Sequence, residues 1–140
     1  METPIVARAR RVESLLSDPA TSYLVVTSAE PVAMNEAGFL VQELRQRKHR
    51  LEAVLANRIM PHRLADGATR RAEALESSTD PTRQRLAVAE REIASIADAE
   101  SHALDRIQEW GADLLLSESR GGDITDTASL LTLGEAIRRR

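Results

Sequence analysis

The sequence lacks cysteine altogether, and aromatic side chains make up only 2% of its 140 residues. Disulfides, thiolate zinc sites and cysteine nucleophiles are therefore excluded, because each requires a cysteine sulfur. No run approaches the roughly 20 apolar residues that a membrane-spanning helix needs, and the first residues lack the basic and then apolar pattern of a secretory signal. We therefore expect a cytoplasmic protein with no integral membrane segment.

A strong excess of charge of one sign is also missing, since 22 acidic residues stand against 19 basic ones and the net charge is -3. Proteins that bind nucleic acid concentrate basic side chains into a patch or stripe that neutralises phosphates. This balance of charge provides no such electrostatic surface, so we predict no nucleic-acid partner.

Common phosphate-binding and catalytic motifs are absent from the sequence. It contains no GxxxxGK[ST] or GxGxxG loop, and its one Gly-Gly pair, at 121–122, is not followed by a basic residue before the next predicted helix. The three histidines, His49, His62 and His102, show no paired metal-ligand spacing, and no GxSxG elbow presents a nucleophile. The sequence therefore predicts no catalytic residues and no metal ligands.

Apolar residues recur at helical spacing in some segments and form short continuous runs in others, which predicts alternating helices and strands. Thr3 and Pro4 form an N-cap and first-turn pair for the first helix. The predicted helices lie at about 4–17, 34–44, 81–110 and 130–137, the strands at 23–27, 51–56 and 112–117, and an irregular or partly helical excursion at 62–79. This alternation predicts an α/β fold class with a parallel, three-stranded partial sheet and helices on both of its faces.

Two predicted helices carry apolar stripes that matter for the fold. In the second helix the apolar face is assigned to Met34, Phe39, Leu40 and Leu44. The long helix carries a 3-4 stripe that only Glu100 interrupts. The stripe consists of Leu86, Ala89, Ile93, Ile96, Ala103, Ile107 and Trp110. Such a stripe is typical either of a coiled-coil seam or of a helix packed on its own sheet, and we take the packed helix as the default.

Polar residues follow the predicted strands at Glu30, Asn57 and Glu118. In open parallel sheets, ligands bind beyond the carboxyl ends of the strands, so these positions are the informative ones. The Asn57 amide offers one acceptor and two donors to a purine edge, which suits a base-reading role. Asparagine is also a common turn residue, and that interpretation stays open.

The order of these motifs resembles the arsenite-pump and tail-anchored-protein-targeting ATPases, a P-loop ATPase family of the anion-transporting type. The resemblance runs over nearly the whole chain and rests on three stretches and a closing helix. The three stretches are Leu16 to Pro31 with its Thr-Ser-Ala-Glu-Pro end, Val41-Gln-Glu-Leu44, and Val54-Leu-Ala-Asn-Arg-Ile-Met-Pro61; the closing helix is the segment 123–137. The resemblance covers only the second half of the family's P-loop fold, so it implies that residues 1–140 are the C-terminal part of such a domain.

The resemblance implies roles for four residues. Asn57 would read adenine with Arg58 beside it, while Glu30 and Glu36 would face the nucleotide cleft or the partner subunit of a dimer. For the two glutamates, the alternative is a solvated helix start. ATP is the implied cofactor, and Mg²⁺ is expected only with the half that this chain lacks.

The departures from the family's pattern limit what the chain is expected to do alone. The P-loop with its two lysines and both switch regions have no counterpart here, and the family's proline-rich turn is replaced by Glu118-Ser-Arg-Gly-Gly122. The chain is therefore expected to be a truncated or split ATPase that is not hydrolytic alone. Its partner would be a P-loop-bearing half or a second copy, without the cysteine pairs that link some family dimers through zinc. The alternative is a non-catalytic α/β interaction module that pairs through the 86–110 helix.

Overall fold

A computed structural model of the chain describes residues 4–140, so the N-cap predicted at Thr3 lies outside the described residues. Within this range, helices and strands alternate as the apolar patterns predict. The helices are α1 Pro4–Leu16, α2 Pro31–Gln46, α3 His62–Ala65, α4 Ala68–Glu76, α5 Pro81–Gln108 and α6 Thr127–Ala136; the strands are β1 Ser22–Thr27, β2 Arg50–Ile59, β3 Asp113–Glu118 and β4 Arg138–Arg139. The predicted α/β fold class is confirmed.

The strands form one mixed sheet in the order β1-β2-β3-β4. β1 pairs with β2 and β2 with β3 in parallel, as predicted, whereas β4 pairs with β3 in the antiparallel direction. The prediction of a purely parallel, three-stranded sheet is therefore wrong at this edge. A two-residue strand of arginines carries no apolar pattern from which sequence reasoning could identify it.

Ion pairs and a backbone hydrogen bond hold the C-terminal strand on the sheet. The Arg140 N–H donates to the Leu114 carbonyl at 2.9 Å. Three consecutive arginines each meet one carboxylate: Arg138 pairs with Glu118 at 3.2 Å, Arg139 with Asp113 at 2.8 Å, and Arg140 with Asp105 at 2.7 Å. Each exposed pair contributes little alone. Two of them join β4 to β3, and the third joins Arg140 to α5.

The core lies between one face of the sheet and helices α2 and α5. Val54, Val41 and Ile107, from β2, α2 and α5, are each 1% exposed. In α2 the buried residues are Met34, Ala37, Val41 and Leu44. Their 3-4-3 spacing defines the face that packs on the sheet. Phe39 and Leu40 fall off this face and are exposed, so their assignment to the core is wrong.

Helix α5 packs on its own domain through the C-terminal part of its stripe, whereas Leu86, Ala89 and Ile96 of the stripe are exposed. Ala103, Leu104 and Ile107, near its C-terminal end, are buried in the core. Near the N-terminal end, Ala87 is buried where α5 packs against α4, whereas Leu86 is half exposed. The segment 62–79 contains α3 and α4 and is therefore more regular than the predicted excursion.

The opposite face of β1 is uncovered. Leu24 and Val26 are 53% and 55% exposed, whereas Val25 between them is 4% exposed. Strands of parallel sheets normally carry helices on both faces, as we predicted here. Helix α1, which precedes β1, contributes no buried residue. Within residues 4–140, β1 is also an edge strand with β2 as its single neighbour in the sheet.

We expect the uncovered face of β1 to cause concentration-dependent self-association, because an apolar edge strand offers both side chains and free backbone groups to another chain. Val26→Lys should weaken this association in sedimentation velocity while changing the unfolding free energy by less than about 1 kcal/mol. Val25→Ala, the matched change on the buried face, should cost about 2 kcal/mol of stability. Equal loss of stability in both variants would contradict the assignment of the two faces.

Candidate functional site

The carboxyl end of β2 contains a β-bulge at Asn57 and Arg58. Ala56 pairs with Leu116 and Ile59 pairs with Glu118. Between these two pairs β2 advances by three residues and β3 by two, so β2 contains one extra residue. The extra residue is accommodated at Arg58, whose φ is 61° in the left-handed region. The Asn57 Oδ1 accepts a hydrogen bond from the Arg58 N–H at 3.0 Å, which stabilises this turn of the backbone. Bulges bend a strand and redirect its side chains, and they occur often beside functional sites.

Lys48 also has a left-handed backbone, with φ at 59°, but there helix termination explains it. The His49 N–H donates to the Leu44 carbonyl and the Lys48 N–H to the Arg45 carbonyl at the end of α2. This pair of hydrogen bonds is the Schellman arrangement, which requires one left-handed residue. Arg58 does not follow a helix, so helix termination does not explain its left-handed conformation. That conformation belongs to the β-bulge at the end of β2.

Beyond the bulge lies a cleft of about 580 Å³, here called the Asn57 cleft. Asn57, Arg58, Leu133 and residues 117–124 line it. Ser117, at the end of β3, is 2% exposed. Its Oγ has no hydrogen-bond partner in the part of the chain that the structure describes. The cleft therefore combines an amide, a guanidinium and a buried hydroxyl at the carboxyl ends of two parallel strands.

A second cleft of about 510 Å³ lies on the other side of Arg58 and is here called the Glu30 cleft. Glu30, Arg58, Glu100 and Arg106 line it together with apolar residues of α2 and α5. Glu30 is the N-cap residue of α2, but its side chain makes no capping hydrogen bond. Arg58 thus lies between two clefts, one shared with Asn57 and the other with Glu30.

The structure does not bring Glu36 to these clefts. Glu36 lines a shallow groove of about 300 Å³ beside β1, together with Leu24, Val26 and Leu40. Of the four residues that the resemblance singled out, Glu30, Asn57 and Arg58 gather at the carboxyl ends of β1 and β2, and Glu36 lies apart on the uncovered side of β1. A larger groove, of about 880 Å³, runs along the exposed apolar side of α1, and no residue from the carboxyl ends of the strands lines it.

Glu100 is a residue of the site that the sequence did not reveal. Its carboxylate is partly buried and accepts a hydrogen bond from the Met60 N–H at 2.8 Å, just after β2 ends. Burial raises the pKa of Glu100, and the Met60 N–H partly offsets this effect. The only sequence signal was that Glu100 interrupts the apolar stripe of α5.

Glu118, the polar residue at the end of β3, makes contacts that stabilise the fold. Its Oε1 accepts from the His62 N–H at 3.1 Å and from Arg138 at 3.2 Å. It therefore joins the end of β3 to the start of α3 and to β4. Residues 4–140 contain no group of three histidine, aspartate or glutamate side chains that could hold a metal ion. None of the helices in this range is long and apolar enough to cross a membrane.

No protein-family model matches the sequence, and no curated protein matches it. The resemblance to the arsenite-pump ATPases therefore stays a prediction that rests on the residues quoted for it.

Arg58→Gly should raise the unfolding free energy by about 0.5–1 kcal/mol, because glycine adopts a positive φ without the steric cost that arginine bears. Lys48→Gly, the matched change at the end of α2, should give a similar gain. Urea unfolding of both variants measures the effect. A loss of stability in Arg58→Gly alone would show that the Arg58 side chain makes contacts that outweigh its backbone strain.

We expect Glu100 to make stability fall as the pH rises above the ordinary pKa of glutamate. Its raised pKa in the folded state means that the folded chain binds more protons than the unfolded chain in that interval. Glu100→Gln keeps an oxygen for the Met60 N–H and should flatten this dependence, so it is more stable than the wild type at neutral pH and equal at low pH. Urea unfolding across pH tests this, with the exposed Glu92→Gln on the same helix as the control. An unchanged slope in Glu100→Gln would contradict it.

Proposed function

We propose that the chain supplies the base-binding half of an ATP site in an ATPase of the arsenite-pump type. The observation that carries the proposal is the β-bulge, which sets Asn57 and Arg58 at the carboxyl end of a parallel strand, where α/β sheets bind ligands. The two residues line a cleft there, and the resemblance assigns them to adenine.

The chemistry of the Asn57 amide suits adenine. An asparagine amide can accept from the exocyclic amino group of adenine and donate to the neighbouring ring nitrogen in a bidentate contact. The Asn57 Oδ1 already accepts from the Arg58 N–H, but a carbonyl oxygen has a second lone pair for the base. The bulge thus orients the amide before any ligand arrives, which lowers the entropy cost of binding.

Hydrolysis requires groups that this sequence does not contain. Phosphoryl transfer in P-loop ATPases depends on a glycine-rich loop, its lysine, a Mg²⁺ ion and a residue that orients the attacking water. No such loop occurs between Met1 and Arg140. We therefore propose that a P-loop-bearing half supplies these groups and the Mg²⁺ site, and that residues 1–140 alone bind the base weakly and hydrolyse nothing.

The uncovered side of β1 is where the P-loop-bearing half would pack. β1 has an unpaired edge, and Leu24 and Val26 expose apolar surface beside it. Adding strands at this edge would extend the sheet and pair the free backbone groups of β1, and an element packed on the face of the sheet would cover Leu24 and Val26. Glu36 lies on the same side and would then face the partner. A second copy of the chain is the other candidate for this surface.

A non-catalytic module that pairs through α5 is the second candidate function. Leu86 and Val88 are 50% and 49% exposed, which favours a contact at the N-terminal turns of the helix. Ile96 of the same stripe is 51% exposed, whereas Ala103 and Ile107 are buried in the core of the same chain. Only part of the 86–110 segment could therefore contact a partner.

Adenosine should bind the isolated chain with a dissociation constant in the millimolar range, because the base contacts act without the phosphate contacts. This corresponds to a binding free energy of about -4 kcal/mol. In ¹⁵N–¹H NMR titrations it should shift the side-chain amide signals of Asn57, and guanosine should shift them less. Asn57→Ala should abolish the binding. The matched control is Asn35→Ala, at an exposed position of α2, which should leave the binding unchanged.

Two results would contradict the proposed function. One is that adenosine leaves the signals around the bulge unchanged at millimolar concentration. The other is that Asn57→Ala and Asn35→Ala bind adenosine equally well. If instead the α5 signals of Leu86 and Val88 broaden with protein concentration while no nucleoside binds, the interaction module is the better account.

A further inference from the structure

Helix α1 carries an apolar stripe that residues 4–140 leave uncovered. Ile5, Val12 and Leu16 are 80%, 52% and 45% exposed, and the helix has no buried residue. A helix of 13 residues is marginal in water unless an apolar face packs against something else. Packing of this stripe against a partner would therefore stabilise α1.

The rest of the chain, as far as residue 140, offers no apolar cover for the stripe. Apart from members of the segment 4–17, the groove of about 880 Å³ beside the stripe is lined by Arg47 and His49, which are both polar. The Tyr23 hydroxyl donates to the Leu16 carbonyl at 2.9 Å, so the end of α1 is fixed against the start of β1. The cover must therefore come from outside residues 4–140.

The spacing of the stripe is that of a coiled-coil seam. Its four members are separated by four, three and four residues, which is the heptad pattern, and they are Ile5, Ala9, Val12 and Leu16. Arg8 and Glu13 flank them on opposite edges, at heptad positions g and e, and both line the groove. Neither of these two side chains forms an ion pair within residues 4–140, so both charges are available to another chain.

The two flanking charges make the stripe complementary to a second copy of itself. In a parallel pair of helices, a residue at position g faces the residue at position e that lies five places later on the partner. Arg8 and Glu13 are five places apart, so two parallel α1 helices would form one Arg8–Glu13 ion pair on each side of the seam. In an antiparallel pair in register, position g faces g and e faces e, so like charges would meet. Charge complementarity therefore selects the parallel orientation.

We propose that α1 is a homodimerisation helix, which packs its stripe in parallel against α1 of a second copy and pairs Arg8 with the partner's Glu13. The proposal goes beyond the proposed function, since α1 lines neither the Asn57 cleft nor the Glu30 cleft. It also leaves Leu24 and Val26 of β1 outside the interface, because neither lines the groove. An anionic membrane suits the stripe less well, since Glu13 would then lie among headgroups of its own sign.

Charge reversal tests the pairing in the Val26→Lys background, where association through β1 is weakened. In sedimentation velocity, Arg8→Glu and Glu13→Arg should each weaken dimerisation about tenfold, because each turns two attractive contacts into repulsive ones. Both reversals in one chain should restore it, and an equimolar mixture of the two single variants should dimerise more tightly than either alone. The matched control is Arg11→Glu, which makes the same charge change on α1 away from the groove and should leave dimerisation unchanged.

A cysteine crosslink tests the orientation, since the chain has no cysteine of its own. In a parallel seam each member meets the same residue of the partner, close enough for a disulfide. Under mild oxidation, Ile5→Cys should therefore form a covalent dimer much faster than Ser14→Cys, which places the thiol on the side of α1 away from the groove.

Four outcomes would overturn the proposal. They are equal dimerisation of Arg8→Glu and Arg11→Glu, a double reversal that stays as weak as the single ones, equal crosslinking of Ile5→Cys and Ser14→Cys, and a chain that remains monomeric at millimolar concentration. Binding to phosphatidylglycerol vesicles without self-association would instead assign the stripe to a membrane surface. None of these results changes the adenosine titration, so the proposed function stands or falls separately.

Discussion

The apolar contact between one face of the parallel sheet and the pair of helices α2 and α5 is the interaction on which the rest of the structure depends. Val41, Val54 and Ile107 meet in this layer and are almost completely buried. Burial of this kind is the main favourable term in folding. Because the strands are fixed here, their carboxyl ends come to one edge, and the bulge and both clefts lie at that edge. The positions of Glu30, Asn57 and Arg58 at this edge follow from this layer, and the same packing of α2 turns Glu36 away from it.

The two edges of the sheet differ in how their strands are protected. At the β3 edge, arginines 138–140 close the sheet with a short antiparallel strand and a row of ion pairs. At the β1 edge the described part of the chain, 4–140, adds no further strand, and Leu24 and Val26 remain exposed. Natural sheets usually protect their edges with charges, short strands or a covering element. The β3 edge has that protection, and the β1 edge lacks it among residues 4–140.

The sequence predicted those parts of the fold whose signal is local and periodic. The apolar runs around Val25, Val54 and Leu114 identified the parallel strands, and helical spacing identified α2 and α5. It missed β4, since pairing between distant segments leaves no periodic trace in two arginines. It also misplaced Phe39 and Leu40, because two residues can both be apolar while only one helix face meets the sheet. Asn57 was found from its position after a strand, whereas Ser117 and Glu100 needed the register and the packing of α5.

The bulge gives two consecutive residues separate surroundings. Asn57 lines one cleft, while Arg58, one peptide unit further, also reaches the other. The backbone between them is held in a left-handed turn that has few alternative conformations. A single inserted residue in a strand thus places one side chain in the walls of two clefts and fixes their relative position through one turn of backbone.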